Sequence, residues 1–217
     1  MKVINCDQGS DQWHLARCGI ITASKFSEVR KRLKSGANKG GFTADAEKYA
    51  FRLAIERITG VPLDEGFQNF AMKRGNDLEP VAREEHELFT GHFVERAGFV
   101  LSDCGKFGAS ADGLIDDDGG SEYKCLIDPE RIRSVLLYDD ISEFMDQIQG
   151  CMWITGRQWW HFCLYVPALK VINKQLYLRH VKRDDAYIAE LQKDLIEFEK
   201  LVSENERVLR LNNQPEH

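Results

Sequence analysis

The chain has 217 residues, 43% apolar and 29% charged, with 35 acidic and 29 basic side chains, a formal net charge of −6 and a pI near 5.6. That length and apolar content bury a full core and exclude a disordered chain. No stretch approaches the roughly 20 consecutive apolar residues of a membrane span, and Met1–Asp7 lacks the apolar stretch of a signal peptide, so the reading is a soluble, cytoplasmic protein with no membrane contact.

Six cysteines (Cys6, Cys18, Cys104, Cys125, Cys151, Cys163) are scattered with no Cys-x-x-Cys pair, which argues against zinc ribbons and iron–sulfur clusters. Disulfides are not expected in a reducing compartment, and each thiol reads as a small buried hydrophobe. Charge is unevenly spread. Residues 1–60 carry eleven Lys or Arg against six Asp or Glu, and the remainder carries 18 against 29. The run Arg30-Lys31-Arg32-Leu33-Lys34, with Lys39 beyond, is either a phosphate-attracting face on an acidic molecule or a solvated helix end.

In chain order, a helix is predicted over 22–34 with Thr22 as its N-cap. A second spans 43–59, with Thr43 before it and Gly60 after it, and a third 76–90, with Pro80 in its first turn. Strand-like runs follow at 92–102, 107–115 and 122–127, the acidic turn Asp116–Ser121 joining the last two as a hairpin. A helix over 142–155 with Ser142 as N-cap, strands at 159–166 and 174–181, and a helix over 184–209 led by Asp184 and Asp185 complete the chain. Without repeats or linkers this reads as one α/β domain over 1–217, a small central mixed β-sheet flanked by helices.

The chemistry concentrates in Ser110-Ala111-Asp112-Gly113 and Glu122-Tyr123-Lys124. Alternation along a strand puts Glu122 and Lys124 on one face and Tyr123 on the other, and the hairpin returns Asp112 beside them. Two carboxylates near a backbone carbonyl make the hard oxygen site that Mg²⁺ prefers, and an adjacent lysine can orient or deprotonate water. The same spacing also suits an exposed edge strand in which Glu122 and Lys124 form an ion pair worth little.

Four blocks taken together carry a resemblance. They are Gln8–Ser24, containing Gln12-Trp13, Arg17 and Thr22-Ala23-Ser24; Arg74-Gly75-Asn76-Asp77-Leu78-Glu79-Pro80-Val81-Ala82-Arg83; Ser110–Leu114 with Glu122–Cys125; and Asp146-Gln147-Ile148-Gln149-Gly150-Cys151-Met152-Trp153. In this order they resemble the lambda-exonuclease-like (YqaJ-type) viral recombinase family, phage alkaline exonucleases of the PD-(D/E)XK nuclease superfamily. The resemblance implies a restriction-endonuclease-like core, with a 5′-phosphate block at 8–24, a catalytic core at 75–153 and C-terminal strands and helix at 159–209. It implies Asp112, Glu122, the Tyr123 carbonyl and Glu79 as metal ligands, Lys124 and Gln147 as catalytic partners, and Arg17, Ser24 and Ser110 around a terminal 5′ phosphate. Ala111 stands where the family often has proline. Met72 falls near the family's strand-separating wedge but reads as a core methionine on packing grounds, and Trp13, Trp153, Trp159 and Trp160 read as core.

By the same resemblance, two Mg²⁺ ions, with Mn²⁺ able to substitute, would serve 5′-to-3′ degradation of one strand of a duplex to 5′-mononucleotides. The 3′ overhangs left behind would feed phage recombination. The implied assembly is a homotrimeric ring enclosing the DNA and working with a single-strand annealing protein in the bacterial host cell. The alternatives are a related DNA endonuclease, which needs no 5′-phosphate pocket, and a catalytically silent protein that binds DNA ends.

Overall fold

The computed structural model describes residues 1–63 and 70–211, with the side chain of Met72 outside that description, so its core reading and the family's wedge alike lie outside the described residues. Seven α-helices and nine strands are described: β1 (Lys2–Ile4), α1 (Asp11–Arg17), β2 (Ile21–Thr22), α2 (Phe26–Arg30), α3 (Ala44–Thr59), α4 (Phe70–Thr90), β3 (Val94–Glu95), β4 (Phe99–Leu101), β5 (Phe107–Ala109), β6 (Gly113–Ile115), β7 (Gly119–Lys124), α5 (Pro129–Tyr138), α6 (Met145–Thr155), β8 (Trp159–Tyr165), β9 (Leu176–Lys182) and α7 (Asp185–Leu211). No described helix is long and apolar enough to cross a membrane.

The described residues fall into two units. One comprises 1–63, 98–110 and 184–211 and holds a four-stranded mixed sheet in the order β1-β4-β5-β2. Its helix α3 begins where Thr43 accepts from the Ala46 N–H, and it ends at Gly60, whose φ of +68° closes the C-terminus without strain. Ala46, Tyr49, Ala50, Leu53 and Ala54 bury one stripe of α3; α7 answers with Ile188, Leu191, Leu195, Phe198 and Val202, and Tyr49 stacks on Phe198 with ring centroids 5.8 Å apart.

The other unit, 70–97 and 111–183, holds a five-stranded mixed sheet in the order β3-β6-β7-β8-β9. Here β7 is interior, antiparallel to β6 and parallel to β8, the parallel step being made by the crossover through α5 and α6. Helix α4 covers one face: Ala82 is buried with Tyr123, Cys163 and Tyr165, and Leu78 packs against them.

The strands expected at 92–102 and 107–115 are each broken in two, and their halves belong to different sheets. At the first break Gly98 lies so close to β1 that a Cβ there would sit 2.2 Å from the Ile4 carbonyl oxygen, a place no side chain fits. The helix expected at 22–34 is instead strand β2, a 3-10 turn (Ala23–Lys25) and the short α2, after which Arg32 bridges to Phe42. Thr22 makes no side-chain cap. Helix α4 is already helical at Phe70, ahead of the expected Asn76, which puts Pro80 inside it, where the missing N–H leaves the Asn76 carbonyl without its helical donor. Likewise Ser142 opens a 3-10 turn, and α6 proper starts at Met145. All six cysteines are free, but only Cys151 and Cys163 are buried and Cys104 is exposed.

Candidate active site

The register of β7 builds the site. Its pairing with β6 stops at Gly113↔Ser121, whereas its pairing with β8 runs on through Lys124↔Leu164. Beyond Ser121 the β6-side edge of β7 is therefore open, and Asp112, the residue before β6, fills it by accepting the Tyr123 N–H at 2.8 Å through Oδ2. The N–H and C=O of one strand residue point to the same edge, so the Tyr123 carbonyl faces the Asp112 side as well. Pleating sends the Tyr123 ring to the opposite face from Glu122 and Lys124, against α4.

Glu122 is 1% exposed on an interior strand, which removes the reading of β7 as a solvent-facing edge. Its Oε1 accepts from Lys124 Nζ at 2.6 Å and from Gln147 Nε2 at 2.6 Å, and Lys124 Nζ also donates to Gln147 Oε1 at 3.1 Å, closing a triangle. Gln147 reaches in from the first turns of α6, whose Ile148, Cys151 and Met152 are buried. Gln149 points elsewhere and donates to the Lys182 carbonyl. Glu122 Oε2 is buried with no hydrogen-bond partner.

The electrostatics follow from crowding acids out of water. Burial, then the neighbouring Asp112 charge, push Glu122 up to about 8, and the same two causes push Glu79 up to about 7. Burial also raises Asp112, against the pull of Lys124 and the Tyr123 N–H. For Lys124 burial acts downward, but Glu122 and Asp112 outweigh it and hold the ammonium above its ordinary value. Facing these acids alone, Lys124 is a proton-holding donor and not a base.

Glu79, on α4, is engaged by Arg83 one turn on: Arg83 Nη2 donates to Glu79 Oε1 at 2.5 Å and to the Asp112 carbonyl oxygen at 2.8 Å. Among the described residues no three His, Cys, Asp or Glu side chains converge as a metal cage. What is assembled is the pair Asp112 and Glu122, a backbone carbonyl on the same edge, and an orphaned buried carboxylate oxygen. That donor set fits Mg²⁺, which takes one or two carboxylates and keeps several waters.

In the first unit, Arg17 lies in the last turn of α1 with its guanidinium 4.0 Å from the centroid of the Trp13 ring, and Trp13 Nε1 donates to Ser110 Oγ at 2.8 Å. Trp13 is half-buried, a platform for Arg17 more than a core anchor. Among the described residues Arg17 makes no ion pair, though the Glu56 charge acts on it; burial lowers its pKa to about 10, which leaves it charged at neutral pH. Ser24 is exposed on the 3-10 turn, its Oγ 3.3 Å from Thr22 Oγ1, so Arg17 is joined to Ser110 and not to Ser24 by these contacts. In the basic run, Arg30 and Arg32 are drawn onto α7 by Asp194 (2.7 Å) and Glu197 (3.1 Å), leaving Lys31, Lys34 and Lys39 exposed.

Reading the residues alone misses two features. Arg83 stands four residues after Glu79, the spacing at which helix side chains meet, and that signal is present in the sequence. The buried pair His86–His161, with His86 Nε2 2.9 Å from His161 Nδ1 and His86 Nδ1 2.9 Å from the Tyr123 hydroxyl, has no such spacing. Burial, then neighbouring histidine charges, lower both to about 4, so the pair is neutral at pH 7. Of the remaining tryptophans Trp160 is fully buried, while Trp153 and Trp159 are half-buried.

Solved structures share this architecture. The crystal structure of LHK-Exo in complex with dAMP is 32% identical and covers 93% of this chain and 97% of that one, with a TM-score of 0.78. That of the alkaline exonuclease LHK-Exo from Laribacter hongkongensis gives the same identity and coverage with a TM-score of 0.76. A phage related exonuclease from Haemophilus somnus 129PT, 16% identical over 89% of this chain and 96% of that one, shares the fold with a TM-score of 0.62. None of the curated proteins matches the chain. The fold is thus the nuclease fold of the phage-type exonucleases. More particularly, the profile of the YqaJ-like viral recombinase domain matches residues 12–158, and the chain belongs to that family.

Proposed function

We propose that the chain is a Mg²⁺-dependent 5′-to-3′ exodeoxyribonuclease that degrades one strand of a DNA duplex from its end to 5′-mononucleotides, leaving 3′ overhangs for recombination by single-strand annealing. The observation that carries this is the site on β7: Asp112 and Glu122 side by side, a buried Glu122 oxygen without a partner, and Lys124 and Gln147 locked onto the other oxygen. Asp112, Glu122 and the Tyr123 carbonyl would hold the divalent cation, with Glu79 completing the site through water, and Mn²⁺ would substitute. When bound, that cation supplies Lewis-acid polarisation of the scissile phosphate and lowers the pKa of water.

The protein's own groups do the rest. Lys124 and Gln147 orient the attacking water; both lie within hydrogen-bond reach of Glu122 and so have fixed positions before substrate arrives. Arg17 and Ser110, joined through Trp13, receive the terminal 5′ phosphate, with the exposed Ser24 hydroxyl as an additional donor. Both units act as one nuclease domain over residues 1–217. The reading extends to a homotrimeric ring around duplex DNA, partnered by a single-strand annealing protein in the cytoplasm of a phage-bearing bacterial cell.

The test compares linear and covalently closed circular duplex of one sequence, with Mg²⁺ and with EDTA. An exonuclease consumes the linear form alone, and only with Mg²⁺. Nicking or cutting of the closed circle would make it an endonuclease, and no metal-dependent loss of either form would make it a silent end-binder.

A further inference from the structure

Resting on the metal reading above, we infer that Arg83 is a positioning residue which fixes Glu79 beside the Asp112 turn before a cation arrives. Arg83 is only 8% exposed on α4, where a charge is retained only with strong partners. Its two hydrogen bonds share a single nitrogen: Nη2 donates to Glu79 Oε1 at 2.5 Å and to the Asp112 backbone carbonyl at 2.8 Å, while Nε is buried without a partner. One atom therefore ties the helix-borne carboxylate to the backbone of the residue whose side chain anchors Tyr123 N–H. The ring of Tyr123 lies 5.7 Å from the guanidinium carbon, so the clamp is also braced against the strand that carries Glu122.

Without the guanidinium Glu79 loses its hydrogen bond and its stronger counter-charge, and only the weaker pull of Arg96 offsets the Asp112 charge. Glu79 then leaves the vicinity of the site, and the cation loses a negative charge and a water-bridged partner. Residues that orient ligands in this way contribute roughly 10–100-fold to metal affinity. Because both bonds issue from one nitrogen, a lysine ammonium, a point cation with three donors, can replace much of the clamp.

The experiment titrates Mn²⁺ into metal-free protein by calorimetry, with no DNA and no turnover, for wild type, Asp112→Asn, Arg83→Met, Arg83→Lys, Glu79→Gln and the Arg83→Met/Glu79→Gln double variant; thermal melting confirms that each is folded. Arg83→Met is expected to weaken Mn²⁺ binding about 10-fold or more, Arg83→Lys to recover most of that, and Arg83→Met to add less than about 2-fold once Glu79 is already Gln. Equal effects of Arg83→Met in both backgrounds, or no rescue by lysine, would overturn the positioning role while Asp112→Asn still abolished binding. Failure of wild type to bind Mn²⁺ at all would overturn the metal reading itself, and the Arg83 role with it.

Discussion

Glu122 is best understood as a group held at a disadvantage, and replacing it with glutamine tests that. Burial and the Asp112 charge raise its pKa from 4.5 to about 8. A tenfold change in proton affinity is ~1.4 kcal/mol, so keeping this carboxylate ionised in the metal-free fold costs about 5 kcal/mol above pH 8. The sign is that of an acid whose folded pKa lies above its unfolded one. The penalty is absent below about pH 4.5 and grows as pH rises towards 8, so the metal-free protein loses stability across that window. Glu122→Gln removes the charge but keeps an acceptor for Lys124 and a partner for Gln147, and because the pKa of about 8 already includes the pull of Lys124, no separate hydrogen-bond loss is subtracted. The expectation is a gain of up to about 5 kcal/mol at pH 8.5 in EDTA, seen as a melting temperature higher by several degrees at roughly 2–4 °C per kcal/mol, and little gain at pH 5. Thermal unfolding followed by circular dichroism at both pH values reads this directly. A variant no more stable than wild type at pH 8.5 would refute the reasoning, because Glu122 would then be a structural ion-pair partner.

Three further outcomes are expected. Lys124→Met should lower the cleavage rate by about 10²–10⁴-fold while Mn²⁺ binding persists in calorimetry, since Lys124 touches Glu122 and Gln147 and is not a cation ligand. Arg17→Ala should remove the preference for 5′-phosphorylated ends and change the melting temperature little, because the stacking of its guanidinium over the Trp13 ring stabilises the fold by only ~0.5–1 kcal/mol. Gly98→Ala should lower the melting temperature sharply with or without Mg²⁺, because the added methyl meets the Ile4 carbonyl oxygen at 2.2 Å and β4 must separate from β1.

The parts of this fold legible in the sequence are those set by local chemistry. Thr43 and Gly60 bracket α3 as their capping preferences dictate, and the Asp116–Asp118 turn joins β6 to β7 in the expected hairpin. The division of strands between two sheets is not legible. Nothing local distinguishes Gly98 from an ordinary strand glycine until β1, nearly a hundred residues earlier, is laid against β4. Pro80 misleads for a related reason: propensity places proline in a first turn, and packing of Leu78 and Ala82 against the sheet outweighs the missing hydrogen bond. In the site, alternation along β7 is enough to put Glu122 and Lys124 together. It cannot supply the burial of Glu122, which comes from β7 being interior, nor the arrival of Gln147 from α6. The engagement of Glu79 by Arg83 is within reach of the four-residue spacing, but the hold of Arg83 on the Asp112 carbonyl is not.

The central claim is tested most directly on a linear duplex carrying a 5′ phosphate on one strand and a 5′ hydroxyl on the other, incubated with Mg²⁺ and wild type, Asp112→Asn or Arg17→Ala protein, with products resolved by strand and length. A 5′-to-3′ exonuclease releases mononucleotides progressively from the 5′ end of the phosphorylated strand, none with Asp112→Asn, and loses its strand preference with Arg17→Ala. Release from 3′ ends, or internal fragments from both strands that ignore the 5′ terminus, would contradict the claim.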